Sequence, residues 1–125
     1  MSAANRRRGA DAERAVVAWL RDNGYKDARR YLAGDGRQPG DIDGVPGLCI
    51  EVKDVAASSW PTWCRQAEAE AGGRAWVVVR RKRGTPDVAK WPCTFALPGL
   101  DATASMQFGA FVRWWRDDDE AQGVA

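Results

Sequence analysis

The sequence predicts a mixed α/β (α+β) fold, a small mixed β-sheet flanked by helices, on three observations. Apolar residues recur with a helical period near both ends and again in the middle of the chain. Between these stretches lie short runs that alternate or are continuously apolar, as strands do. Turns rich in Gly and Pro separate the two kinds of segment. With 125 residues the chain is long enough to bury one core and too short for two.

The elements follow in order. Ala12, Val16, Trp19 and Leu20 fall at i, i+4, i+7 and i+8 of a first helix, which Asn23-Gly24 stops. A short basic strand over residues 28–32 leads into a glycine-rich loop over 33–40. That loop is not a P-loop, because no Gly-Lys-Ser/Thr follows its glycines. Residues 41–43 and 48–53 read as two strands of a hairpin that turns through Gly44, Pro46 and Gly47. Ser58 and Ser59 open a second helix with Pro61 in its first turn and Gly72-Gly73 at its end. Trp60, Trp63, Cys64, Ala67 and Ala71 form its apolar face. Residues 75–79 contain three consecutive valines and predict a central strand covered on both faces. A further strand spans 94–97. The last helix spans 105–116, with Phe108, Phe111, Val112 and Trp115 on one face. The acids Asp117, Asp118, Asp119 and Glu120 oppose its dipole. Residues 1–116 are therefore expected to form the single domain and 117–125 a loose acidic tail.

Composition narrows the chemistry. No apolar run approaches the roughly 18 residues of a membrane span, and none follows Arg6, Arg7 and Arg8 as a secretory signal requires. A soluble, cytoplasmic protein without a membrane partner is expected. Cys49, Cys64 and Cys93 have no zinc-type spacing and read as small buried hydrophobes. The chain has 0 histidines. That count removes Ser-His-Asp and Cys-His nucleophiles and histidine-metal nucleases, and leaves catalysis to carboxylates and lysine. Such groups suit hard cations, Mg²⁺ with Mn²⁺ as a substitute, and no small-molecule cofactor is expected. The net charge is only +2, but its distribution is uneven. Arg29 with Arg30, and Arg80, Arg81, Lys82 and Arg83, form basic clusters that are either solvated faces or phosphate contacts.

Residues 40–53, Gly-Asp-Ile-Asp-Gly-Val-Pro-Gly-Leu-Cys-Ile-Glu-Val-Lys, carry most of the information. Strand alternation sends Leu48, Ile50 and Val52 to one face and Cys49, Glu51 and Lys53 to the other. The hairpin brings Asp41 to the same end. Two carboxylates in that volume repel unless a cation or the lysine compensates, and a divalent metal resolves the conflict. A bare Glu-x-Lys is more often an ordinary salt-bridged strand face. The preceding acid, the apolar strand and the helix that follows directly give it functional context. Asp43 lies two residues from Asp41, so either could be the ligand. Asp41 is preferred because it follows Gly40 at the strand's start, whereas Asp43 adjoins the turn glycine.

On these residues the chain resembles the PD-(D/E)XK nucleases, whose core is like that of restriction endonucleases, and in particular the small Holliday junction resolvases of archaeal and phage type. Arg8-Gly9-Ala10-Asp11-Ala12-Glu13-Arg14 resembles the family's opening motif, Gly40-Asp41-Ile42 its acid motif, and Glu51-Val52-Lys53 its Glu-x-Lys. Gln66-Ala67-Glu68-Ala69-Glu70 also resembles phage members. The likeness covers about residues 6 to 83. It departs from the family in that Gly40 stands where proline precedes the acid, with Pro39 shifted one place.

The resemblance implies Asp41 and Glu51 as metal ligands, assisted by the Val52 carbonyl. Lys53 would position or activate the attacking water and Glu13 would complete the site. Glu13 also lies with Val17 and Leu20 at the edge of the first helix's apolar stripe, from which it can reach inward. Gln66 would bond the scissile phosphate or water. Arg6, Arg7, Arg8, Arg14, Arg29, Arg30, Arg37, Arg80, Arg81, Lys82 and Arg83 are the DNA-binding candidates. The implied activity is Mg²⁺-dependent resolution of four-way DNA junctions by a homodimer, in a host's cytoplasm if the gene is a phage's. The alternatives are a flap or restriction-type endonuclease on the same core, or a catalytically silent nucleic-acid-binding module. Among the tryptophans, Trp19, Trp63, Trp76 and Trp115 fall on core stripes or strands. Trp114 lies about 100° around the last helix from Trp115 and, with Phe111, is the candidate for a subunit contact.

Overall fold

The computed structural model describes residues 3–31, 40–97 and 99–121. Helix α1 spans Ala3–Asp22, α2 Trp60–Ala71 and α3 Phe108–Ala121. The strands are β1 (Arg29–Arg30), β2 (Ile42–Asp43), β3 (Leu48–Lys53), β4 (Ala75–Arg80), β5 (Pro92–Ala96) and β6 (Thr103–Gln107). They form one mixed sheet in chain order, β1-β2-β3-β4-β5-β6. Only β3 and β4 run parallel, with Leu48 opposite Ala75 and Lys53 opposite Arg80. The crossover helix α2 makes that pairing possible, since a short turn can only reverse a strand. The other neighbours are antiparallel. The predicted mixed α/β class is what forms. Most of the predicted loop 33–40, with Arg37 and Pro39, lies outside the described residues, as do residues 122–125.

Alternation along the two central strands divides the core. Ile50, Val52, Val77 and Val79 face α1 and α3, where they meet Val16, Leu20, Phe108, Phe111 and Val112. Cys49, Trp76 and Val78 face α2, where they meet Trp63, Ala67 and Ala71. The continuous apolar run of β4 is thus covered on both faces, and a sheet strand so covered needs no polar side. Helix α2 begins with Pro61 in its first turn and ends on Gly72 in the left-handed region. Ser59 stands at its N-cap without a side-chain cap bond.

Three expectations are corrected at the C-terminal side. The last helix begins at Phe108 rather than 105, because Thr103–Gln107 pairs along β5 as a sixth strand. A hydroxyl hydrogen bond of 2.7 Å joins Thr94 to Ser105 across that pair. The helix continues to Ala121 and does not stop at 116. The dipole penalty on its acids is only about 0.3–1 kcal/mol, and α3 is held by Arg116 Nη1 donating to Asn23 O at 3.0 Å. Finally, Phe111 is buried among Phe95, Phe108 and Trp115 and offers no surface to a partner. Cys49 and Cys93 are buried as expected, whereas Cys64 is only half-buried.

Candidate active site

The backbone at residues 40–41 sets the position of the first acid. Gly40 has φ +89°, and a Cβ there would stand 2.7 Å from Ile50 O and 3.0 Å from Cys49 Sγ. Only glycine lets the chain lie this close on β3. That contact explains why glycine stands directly before the acid. Asp41 is then fixed by its own amide, which donates to Ile50 O at 2.8 Å, and by its Oδ2, which accepts from Val52 N at 2.8 Å. Asp43 turns elsewhere and pairs with Arg29 at 3.1 Å. Of the two acids, Asp41 is the one beside β3.

Glu51 is 6% exposed, on the α2 face of the sheet. Its carboxyl lies within hydrogen-bonding reach of those of Glu70 and Asp41. Ionised carboxylates cannot bond one another, and Glu51 Oε1 is buried with no hydrogen-bond partner. Burial first, then the carboxyls of Glu70 and Asp41, push the Glu51 carboxyl up to about 10. Asp41 is raised mainly by burial, and the Val52 amide, Glu51 and the Lys53 ammonium oppose the rise. Lys53 is thus near enough to Asp41 to offset its charge. Cys49 beneath them is pushed up to about 12, by burial and then by the charges of Glu51, Glu70 and Asp41.

Glu13 approaches from α1. Its Oε1 accepts from Arg30 at 3.1 Å. Burial and then the charge of Asp41 raise its carboxyl, while Arg30 works the other way. The structure therefore brings Glu13, Asp41, Glu51 and Lys53 into one electrostatic neighbourhood. Val52 enters it by its amide. Gln66 is exposed on α2, as is Glu70 four residues later. One turn further along, Glu70 is the α2 residue that meets Glu51. Sequence reasoning missed it. The available signal was an acid in the last turn of α2, where no base offsets the helix dipole.

Arginine-lined grooves lie next to Glu13 and next to Lys53. A groove of about 370 Å³ is lined by Arg14, Arg21, Arg29 and Arg30, next to Glu13. Another of about 440 Å³ is lined by Arg80, Arg81, Lys82 and Arg83, where Arg81 N donates to Lys53 O at 2.8 Å. Most of these cations also hold the protein together. Arg14 pairs with Asp11 at 3.0 Å, and Arg80 donates to the carbonyls of Val55 and Ala56. Arg81 and Arg83 pair with Asp54 at 3.5 and 3.1 Å, an acid whose side chain is 2% exposed. Lys82, Arg6, Arg7 and Arg8 are exposed. A larger groove of about 570 Å³ beside Trp60, Cys64 and Ser105 has none of the four acids in its lining.

Among the described residues no three His, Cys, Asp or Glu side chains converge as a finished metal cage. The contacts between the acids are pairwise. Also among the described residues, no helix is long and apolar enough to cross a membrane. Comparison with protein-family models, with characterised proteins and with solved structures finds no match to the chain.

Proposed function

We propose that the chain is a divalent-metal-dependent DNA endonuclease with a PD-(D/E)XK core, a Holliday junction resolvase that acts in the cytoplasm as a homodimer. The observation that carries this reading is the meeting of Asp41 and Glu51 at the β2–β3 seam, with the Lys53 ammonium near enough to Asp41 to offset its charge. A buried carboxylate oxygen without a partner, beside further acids, fits a hard cation bound by oxygen. Asp41 and Glu51 would hold Mg²⁺ or Mn²⁺, with the Val52 carbonyl and Glu13 at its margin. When bound, the ion would supply charge neutralisation at the phosphate and a more acidic water.

The chain's own residues do the rest. The Val52 amide and the Gly40 turn hold Asp41 in one orientation. Lys53 is assigned to orient the attacking water and to offset the charge that develops on it. Arg30 holds Glu13 beside Asp41. The two arginine grooves, one next to Glu13 and one next to Lys53, support a phosphate track.

The test sets a four-way junction, a flap and a plain duplex side by side, each with Mg²⁺ and with chelator. Cleavage of the junction with Mg²⁺ only is expected. Asp41→Asn and Glu51→Gln should each slow it by on the order of 10²-fold or more while leaving binding intact or tighter. Binding without cleavage of any of the three would replace the reading with a silent DNA-binding module. Cleavage of the flap alone would move it to a flap nuclease.

A further inference from the structure

We infer that Glu70 is a third carboxylate ligand of the cation site, supplied by α2 to Asp41 and Glu51 on the sheet. The inference rests on the metal-dependent reading above and adds a residue to it from a different element.

Helix geometry accounts for the placement. Ala67 and Ala71, one turn apart, are buried against the Cys49 face of the sheet. Glu70 lies three residues after Ala67 and directly before Ala71, so it stands on the flank of that stripe, exposed, with its carboxyl within hydrogen-bonding reach of Glu51. Glu51 is its counterpart below. That residue is more than nine-tenths buried and its Oε1 has no partner, while its carboxyl lies within hydrogen-bonding reach of Glu70. Nothing on its own helix favours an acid at this point. It sits at the negative end of the helix dipole, the last turn contains no basic residue, the Glu51 carboxyl is within hydrogen-bonding reach, and Asp41 is near enough to feel its charge. Local rules broken together at one point mark a site whose compensation comes from outside the chain. A divalent cation would compensate all three acids at once and draw the pairwise contacts to a common centre.

The experiment uses the full chain without DNA. Mn²⁺ is titrated and the free ion is followed by its electron paramagnetic resonance signal. Wild type is expected to bind Mn²⁺, and Glu70→Gln to bind it about 10-fold more weakly or worse. Glu68→Gln makes the same charge change at another exposed position of the same helix, one that does not act on Asp41 or Glu51, and should stay within about twofold of wild type. If Glu70→Gln does not fold, Glu70→Asp takes its place in the same comparison. Equal affinity in wild type and Glu70→Gln would leave a proton-sharing pair of acids and overturn the inference. Equal losses in Glu68→Gln and Glu70→Gln would also overturn it, as an effect of net charge alone, and so would a wild type that binds no Mn²⁺. The nuclease reading is read out separately. Loss of Mn²⁺ in Glu70→Gln with no DNA substrate cut keeps the inference and removes the nuclease, whereas junction cleavage with Glu70→Gln indistinguishable from wild type does the reverse.

Discussion

Glu51 breaks the rule that a central strand buries apolar side chains, and the consequence is measurable in the protein itself. Its carboxyl is raised from 4.5 to about 10, so the folded state keeps a proton that the unfolded chain gives up. A raised value stabilises the fold fully below the unfolded value, and that contribution disappears as pH climbs through the folded one. In chelator, the melting temperature should therefore fall between about pH 5 and pH 9, and Glu51→Gln should flatten the fall. An equal slope in both proteins would show that Glu51 is not the group responsible. Saturating Mg²⁺ should raise melting more at pH 9 than at pH 5, because the ion competes with the proton. Gly40 gives the second residue-scale expectation. Gly40→Ala forces a Cβ against Ile50 O at a positive φ and should cost about 1–3 kcal/mol in urea unfolding. Gly72→Ala, also at positive φ but with open space around it, should cost about 1 kcal/mol at most.

At the scale of elements, the β3–α2 connection is tied down by the basic run at the end of β4. Asp54 accepts from Arg81 and Arg83, and Arg80 donates to the carbonyls of Val55 and Ala56. Lys82 and Arg83 should therefore behave differently when neutralised. Lys82→Ala should flatten the slope of log affinity against log salt by about 0.9 with melting unchanged. Arg83→Ala should lose slope and also about 1–3 kcal/mol of stability, because it takes one of two arginines from an acid whose side chain is 2% exposed. A salt slope untouched by Lys82→Ala would return the run to a structural role. Which elements were legible follows from how local their signals are. The alternation of Leu48–Lys53, the valine run of β4 and the alanine stripe of α2 each announce themselves within one segment, and with them the division of faces that puts Glu51 opposite α2. Thr103–Gln107 carries no such pattern and becomes a strand only because β5 pairs with it. Asp41, Glu51 and Lys53 were legible as a motif, and the choice of Asp41 over Asp43 followed from Gly40. Glu70 and Asp54 were not, since what makes each notable is a partner contributed by another element.

For the whole molecule, the remaining question is how one small site would serve a junction that needs two cuts. A four-way junction has near two-fold symmetry, and a C2 dimer presents two sites at a fixed spacing. Burial of Phe111 shifts the apolar surface for such a dimer to Trp114, which is 40% exposed while its ring packs on Phe95, Phe111 and Trp115. Its neighbourhood in the fold adds to it. Strand β6 is the outer strand of the sheet, and none of its five residues carries a charge. Neither a lysine nor a proline blunts that edge, the usual defence of a strand meant to stay unpaired. Ala104 packs into the α3 side of the core, so strand alternation puts Met106, 36% exposed, on that same side. Aromatic and methionine side chains are enriched in interfaces, and a rigid tryptophan gives contact area at low entropic cost. Light scattering at micromolar concentration should therefore give the mass of two chains, and Trp114→Glu the mass of one with the fold retained. On a cruciform plasmid the wild type should make paired nicks in opposing strands, and Trp114→Glu single, uncoupled ones. A monomeric wild type with uncoupled nicks would remove the dimer and leave each cut to a separate encounter.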